Sequence, residues 1–211
     1  MTKTVEINGQ NFILHPTGAL FWEAQQVLLI SDVHLGKVMH FRKHGMALPG
    51  NSISKNFEQL DLAVDYFNPK GVIFLGDLFH SERNIEWDLF ENWVLDKPFK
   101  IILVAGNHDI INPIHYQKLA IAVCSELIIE NFLLTHHPEE RIGFYNFSGH
   151  IHPGIKLHGV GRQTLKLPCF FKKEHQMILP AFGEFTGQYF LVPTATDCVY
   201  AITKEEVLLI C

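Results

Sequence analysis

Five short apolar runs in this 211-residue chain end in the same way, and that repetition limits the folds open to it. Val27-Leu28-Leu29-Ile30 runs into Ser31-Asp32-Val33-His34, and Gly71-Val72-Ile73-Phe74-Leu75 runs into Gly76-Asp77. Lys100-Ile101-Ile102-Leu103-Val104-Ala105 runs into Gly106-Asn107-His108-Asp109. Phe132-Leu133-Leu134 leads to Thr135-His136-His137, and Tyr145-Asn146-Phe147-Ser148 leads to Gly149-His150-Ile151-His152. Continuous aliphatic and β-branched runs read as buried strands of a largely parallel sheet. Ligands of open α/β sheets sit outside the carboxyl ends of the strands, so polar residues released there project into a cleft.

The residues delivered to that edge are Asp, His, Asp, Asn, His, His and His, at Asp32, His34, Asp77, Asn107, His136, His150 and His152. They are nitrogen and oxygen donors with no thiolate, which suits two divalent ions of the zinc, manganese or iron type and not a structural zinc site.

Taken in order, Asp32-x-His34, Gly76-Asp77, Gly106-Asn107-His108-Asp109, His136 and Gly149-His150-Ile151-His152 resemble the five motifs of the calcineurin-like metallophosphoesterases. The resemblance implies an α/β fold, a four-layer αββα sandwich of two mixed sheets flanked by helices, forming one domain over residues 1–211. It implies a phosphoesterase that uses two divalent ions, with manganese expected and zinc, iron or nickel as the alternatives. Asp32, His34 and His152 would hold one ion, Asn107, His136 and His150 the other, and Asp77 is the bridging carboxylate. Two ions of that kind neutralise a phosphate and lower the pKa of a bridging water, which attacks in line with the leaving oxygen. His108 is then the group that protonates the leaving alkoxide, with Asp109 orienting it. In the pair His136-His137 the first is expected to be the ligand. His137 departs from the family pattern, which has a small residue there, and is a candidate for substrate contact.

Softer segments, Leu48-Pro49 and Pro180-Ala181-Phe182-Gly183-Glu184-Phe185-Thr186-Gly187, are similar to the ligase-associated bacterial branch of that superfamily. That branch is linked to DNA repair and described as a DNA endonuclease, which implies ligase or helicase partners. Between Asp109 and His136 there is room only for a short helix, around Ile114–Val123, and a hairpin of Leu127–Glu130 with Phe132–Thr135. The lipid-precursor pyrophosphatases of the superfamily carry helices inserted there for an acyl chain. The expected substrate is therefore a phosphodiester, in a nucleic-acid strand or a nucleotide. The alternatives are a small-nucleotide phosphodiesterase or phosphatase, and an inactive metal-binding scaffold for protein partners.

The segment after His34 carries Lys37, Arg42 and Lys43, read either as a solvated helix face or as contacts to phosphate and substrate backbone. His80, after Asp77, is read as a residue that orients a ligand or touches substrate. His15 reads as a loop residue. Asn51 or Ser52 should cap a helix whose apolar stripe is Ile53, Phe57, Leu60, Val64 and Phe67. Trp87, Phe90 and Val94 mark a second helix. A hairpin turned at Asn8-Gly9 precedes the first motif strand, and strands near Gly154–His158, Thr164–Leu167, Met177–Leu179, Tyr189–Val192 and Val207–Ile210 build a second sheet.

Composition sets the remaining bounds. Hydrophobic residues at 47% against charged residues at 18% argue against disorder, and the net charge of −5 argues against a generic nucleic-acid coat while leaving room for a local basic patch. Cys124, Cys169, Cys198 and Cys211 lack C-x-x-C spacing, and Thr2-Lys3-Thr4-Val5-Glu6 alternates where an apolar leader would begin. No run approaches the ~20 apolar residues of a membrane span. The expectation is a cytoplasmic protein with free thiols and no membrane partner.

Overall fold

The computed structural model describes residues 1–37, 52–184 and 186–210, with the backbone alone at Ser52 and Arg162. The first hairpin forms as its alternation requires: Val5 and Ile7 of β1 (Lys3–Ile7) are buried along with Phe12 and Leu14 of β2 (Gln10–Leu14), in antiparallel register Val5↔Phe12. Asn8 and Gly9 take φ of 50° and 75°, the left-handed pair that a two-residue type I′ turn needs. β3 (Leu20–Trp22) and β4 (Val27–Ile30) continue antiparallel. From β4 onward β5 (Gly71–Leu75), β6 (Lys100–Val104) and β7 (Ala122–Cys124) pair in parallel, giving a seven-stranded sheet in sequence order.

β7 departs from expectation, because the helix read around Ile114–Val123 is shorter. Helix α3 runs only over Pro113–Lys118, Ala120 turns the chain at φ 58°, and Ala122–Cys124 lies along the open edge of β6. Three residues carry too little periodicity to announce a strand; the free edge of β6 decides it.

Helices α1 (Ser52–Phe67) and α2 (Ile85–Leu95), together with α3, pack on one face of this sheet. Leu60, Ala63 and Val64 of α1 and Trp87, Phe90 and Trp93 of α2 share a core with Leu28, Ile30, Val72 and Phe74. Asn84 caps α2, its side-chain oxygen accepting the Glu86 N–H at 2.8 Å. The cap expected at Asn51 or Ser52 lies outside the described side chains, as do Leu48-Pro49, Arg42 and Lys43.

The second sheet, also mixed, is built from β8 (Leu127–Ile129), β9 (Phe132–Leu134), β10 (Tyr145–Ser148), β11 (Pro153–His158), β12 (Thr164–Lys172), β13 (Gln176–Ile178) and β14 (Tyr189–Phe190), in the order β14-β11-β12-β13-β10-β9-β8. β15 (Cys198–Ile202) pairs with β12, and β16 (Val207–Leu209) pairs with β15. The expectation missed β15 and ended β12 at Leu167, where the strand runs on to Lys172. Pro168 has no N–H to donate, and it stands where the ladder with β11 ends and the ladder with β15 begins at Cys169.

Between the two sheets Phe12 meets Trp22, Phe132 and Phe147 at ring separations of 5.4, 5.3 and 4.8 Å. The architecture is thus two mixed sheets with flanking helices, as expected, and the described helices lie on the outer face of the first sheet. Among the described residues no helix is long and apolar enough to cross a membrane.

Two outcomes follow from this packing. Phe12→Ala empties the junction between the sheets and should cost about 3–5 kcal/mol in denaturant unfolding; a loss under about 1 kcal/mol would mean that the sheets do not depend on this ring. His15 is buried against Tyr66 and Phe67, and its Nδ1 accepts the Thr17 N–H at 3.2 Å. Burial and the nearby N-terminal ammonium push its pKa down to about 4. The unfolded chain takes this proton near pH 6.5 while the folded chain refuses it until about 4, so His15 removes stability as pH falls through that window. His15→Gln should therefore lose less Tm than the parent between pH 7 and pH 4.5, measured by scanning calorimetry.

Candidate metal centre

The carboxyl ends of β4, β5, β6, β9 and β10 bring all seven expected donors to one place. Five of them, Asp32, His34, Asp77, His150 and His152, have left-handed backbones with φ of 49–66°. Ten non-glycine residues among those described have positive φ, so half of that conformational cost is concentrated at the site. Short polar residues tolerate the conformation best. It turns each donor sharply out of its strand.

Three atoms meet on one side. Asp32 Oδ1 lies 3.2 Å from His152 Nε2 and 3.9 Å from His34 Nε2, and the two imidazole nitrogens are 3.2 Å apart. His152 Nδ1 donates to the Gly187 carbonyl at 3.2 Å, which leaves the lone pair of its neutral form on Nε2. Asp32 is fully buried, its Oδ2 accepts the His150 N–H at 2.9 Å, and among the described residues its Oδ1 has no hydrogen-bond partner. Burial, followed by the charges of Lys37 and the neighbouring imidazoles, pushes the His34 pKa down to about 2. It is therefore neutral at ordinary pH, as a ligand must be.

The second cluster is built on His136, whose Nδ1 donates to the Leu75 carbonyl at 2.9 Å. Its Nε2 lone pair faces Asn107 Oδ1 at 3.1 Å, His150 Nδ1 at 3.2 Å and Asp77 Oδ1 at 3.5 Å. Burial, His137 and His136 lower the pKa of His150, against the pull of Asp32 and Asp77. Asp32, Asp77 and His136 also form a tight group of their own, which joins the two clusters. Nitrogen and oxygen acceptors face one another here, and among the described residues the buried Asp32 Oδ1 has no donor; these residues fit divalent cations.

His136 is buried at the centre of its cluster, while His137 is exposed, its ring 4.0 Å from that of His150. His108 is half-buried beside the site, its ring 4.5 Å from His80 and 5.9 Å from His34, and its backbone N–H donates to Asp77 Oδ1 at 2.9 Å. His80 therefore belongs to the site, 5.4 Å from the His34 ring. Lys37 also reaches it: burial lowers its pKa while Asp77 and Asp32 pull it back up.

Asp109 does something other than what the sequence suggested. Its Oδ1 accepts the Phe79 N–H at 3.0 Å and its Oδ2 the Gly106 N–H at 2.8 Å, so the carboxylate ties the loop after β5 to the loop after β6. Among the described residues its side-chain hydrogen bonds run to these backbone amides and none runs to the His108 ring. Burial, helped by the charge of Asp77, pushes the Asp109 pKa up to about 6 against the opposing backbone donors of Phe79, Gly106 and Asp77.

No motif in the chain announced how the tail supports the first loop. Phe182 N–H and Gly183 N–H donate to the carbonyls of Ser31 and Asp32 at 3.0 and 3.1 Å. A side chain at Gly183 would collide with the Val33 carbonyl, so only glycine permits that approach. Gly106 is equally constrained: a Cβ there would strike the Asp77 carboxylate and its backbone nitrogen.

This chain belongs to the calcineurin-like phosphoesterase family, whose model matches residues 26–167. It is a metal-dependent phosphoesterase, a hydrolase acting on ester bonds. Its backbone is similar to the crystal structure of Pseudomonas putida nuclease MPE, with 30% identity over 100% of both chains and a TM-score of 0.84. A protein of unknown function from Aquifex aeolicus, AQ665, aligns over 60% of this chain and 78% of its own, at 20% identity and a TM-score of 0.41. No curated protein matches the chain.

The crowding at Gly106 is open to test. Gly106→Ala should weaken metal binding by about 10–100-fold, the range for displacing a ligand's support, as read by isothermal titration with Mn²⁺. Unchanged affinity would mean that Asp77 is free to shift.

Proposed function

We propose that this phosphoesterase hydrolyses phosphodiesters of nucleic acid, as a DNA endonuclease, with two divalent ions at the edge of its two sheets. The observation that carries a dinuclear site is the Asp32–Asp77–His136 group, which lies between two donor clusters and belongs to both. Asp32, His34 and His152 would hold one ion, Asn107, His136 and His150 the other, with Asp77 shared. The mixed nitrogen and oxygen donors suit manganese first, and zinc, iron or nickel as alternatives. When bound, such ions neutralise phosphate charge and make water nucleophilic at neutral pH.

The chain's own groups do the rest. Asp77 fixes the His108 backbone, so the imidazole stands beside the donors, where it would give a leaving oxygen its proton. Asp109 ties the loops that carry Asp77 and His108, which keeps that geometry rigid. Lys37 presents a cation next to the carboxylates, where it can hold a phosphate oxygen. His80 and His137 flank the site and would meet the substrate on either side. Similarity over the full length to a nuclease supports a nucleic-acid strand as substrate. The Pro180–Gly187 tail's resemblance to the ligase-associated branch supports a cytoplasmic role in DNA repair with a ligase or helicase as partner.

The test uses leaving groups. His108→Ala should keep both ions yet slow hydrolysis of alkyl phosphodiesters and of labelled single-stranded DNA by about 10²–10⁴-fold. Nitrophenyl esters, whose leaving group needs no proton, should suffer less. An equal deficit on both ester classes would remove His108 from the acid role. Wild-type turnover of a nucleotide with no cleavage of any oligonucleotide in Mn²⁺ would replace the endonuclease with a small-nucleotide phosphodiesterase. Metal binding without turnover of any ester would leave a scaffold.

A further inference from the structure

The pairing register shows that the β11–β12 hairpin extends beyond the metal-bearing edge of the second sheet. Ser148 at the end of β10 pairs with Ile178, and Ile178 pairs with Phe171, so Phe171 marks the level of that edge on β12. β12 runs antiparallel to β10, and its residues before Phe171 therefore lie past the edge. Lys166 stands five positions beyond, roughly 17 Å at strand spacing, and Lys156 pairs directly with it. β11 begins at Pro153, immediately after His152, so the arm grows directly out of the metal centre.

Alternation fixes which way the arm's faces point. Phe170 belongs to the core between the sheets, so Pro168, Lys166 and Thr164 share that inner face, and their partners Lys156 and His158 share it with them. Ile155 and Leu157 instead join the cluster on the outer face. The lysines are thus turned toward the side on which the first sheet presents Asp32, His34 and Asp77. Both are exposed, and both ammonium groups stand over the Phe190 ring, at 4.7 Å for Lys156 and 5.5 Å for Lys166. β14, which carries Phe190, is itself tied to a site residue: Tyr189 N–H donates to the His152 carbonyl at 2.9 Å, and His152 Nδ1 donates to the Gly187 carbonyl.

Two like charges directly across a ladder are unfavourable for folding, and among the described residues neither lysine has an acidic partner. The surrounding sequence supplies none either. From Ile142 to Lys173 the chain contains no Asp or Glu but five cations, at positions Lys156, Arg162, Lys166, Lys172 and Lys173, in a protein of net charge −5. Two cations over an aromatic ring, on an arm continuous with a phosphoesterase centre, match the charge and the flat bases of a single nucleic-acid strand.

We infer that the inner face of the β11–β12 arm, through Lys156, Lys166 and Phe190, is the track on which a single strand of nucleic acid lies as it leaves the metal centre. The two lysines each take a backbone phosphate, and Phe190 offers a face for a base. This rests on the phosphodiester reading above and adds where the strand runs and what holds it.

The experiment measures binding apart from cleavage: fluorescence anisotropy of a labelled 20-nucleotide oligo(dT) with the full chain in EDTA, over a salt series. Lys156→Gln/Lys166→Gln should weaken binding by about tenfold or more and reduce the slope of log K against log salt by about 1.4, the value for two phosphates on a single strand. Lys156→Arg/Lys166→Arg should restore both, which a purely structural role for lysine would not predict. Phe190→Leu, which keeps apolar bulk without an aromatic face, should weaken binding with the salt slope unchanged. Wild-type affinity and slope in the Gln pair, or a wild-type protein that binds no strand, overturns the track. Cleavage of oligonucleotides in Mn²⁺ by a Gln pair that binds as wild type would reject the track and leave the nuclease reading intact.

Discussion

Lone pairs crowded against lone pairs are the constraint on which this structure turns. His136 Nε2 looks at Asn107 Oδ1 and Asp77 Oδ1, while Asp32 Oδ1 has no donor among the described residues. An unsatisfied buried acceptor costs about 1–3 kcal/mol. The arrangement is therefore unfavourable for the bare chain and favourable once cations occupy it. Everything that holds these atoms in place works against their mutual repulsion.

The work is divided between the two sheets. Asp32, His34, Asp77 and Asn107 come from the first, and His136, His150 and His152 from the second. The gap between the donor sets is fixed by side chains far from the chemistry, the aromatic junction of Phe12, Trp22, Phe132 and Phe147. A cation bound across the gap adds its binding free energy to the cohesion of the sheets, since the unfolded chain cannot assemble the same ligands. Stability and metal affinity are thus linked through one interface.

Locally, backbone hydrogen bonds do the fine placement. Asp109 couples the loops after β5 and β6, and the Phe182-Gly183 segment runs amide to carbonyl along Ser31 and Asp32. These contacts resist the relaxation that left-handed donors would otherwise seek. Such shells are costly to disturb because they act on several ligands together.

The convergence of the seven candidate donors and the apolar runs before them were legible in the chain, because a buried strand must be apolar and polar residues released at its carboxyl end meet at one edge. The two-sheet class was legible for the same reason. Neither β7 nor β15 was: Ala122–Cys124 is too short to carry a period, and the edges of β6 and β12 recruit these strands from outside their own sequence. One partner of Asp109 was equally hidden, since the Phe79 amide that a carboxylate beside His108 finds lies on another loop, thirty residues away in sequence. Residue type fixes what an atom can bind. Which atoms come within 3 Å is decided by packing, where side chains distant in sequence compete for the same donors, and that competition is resolved only in three dimensions.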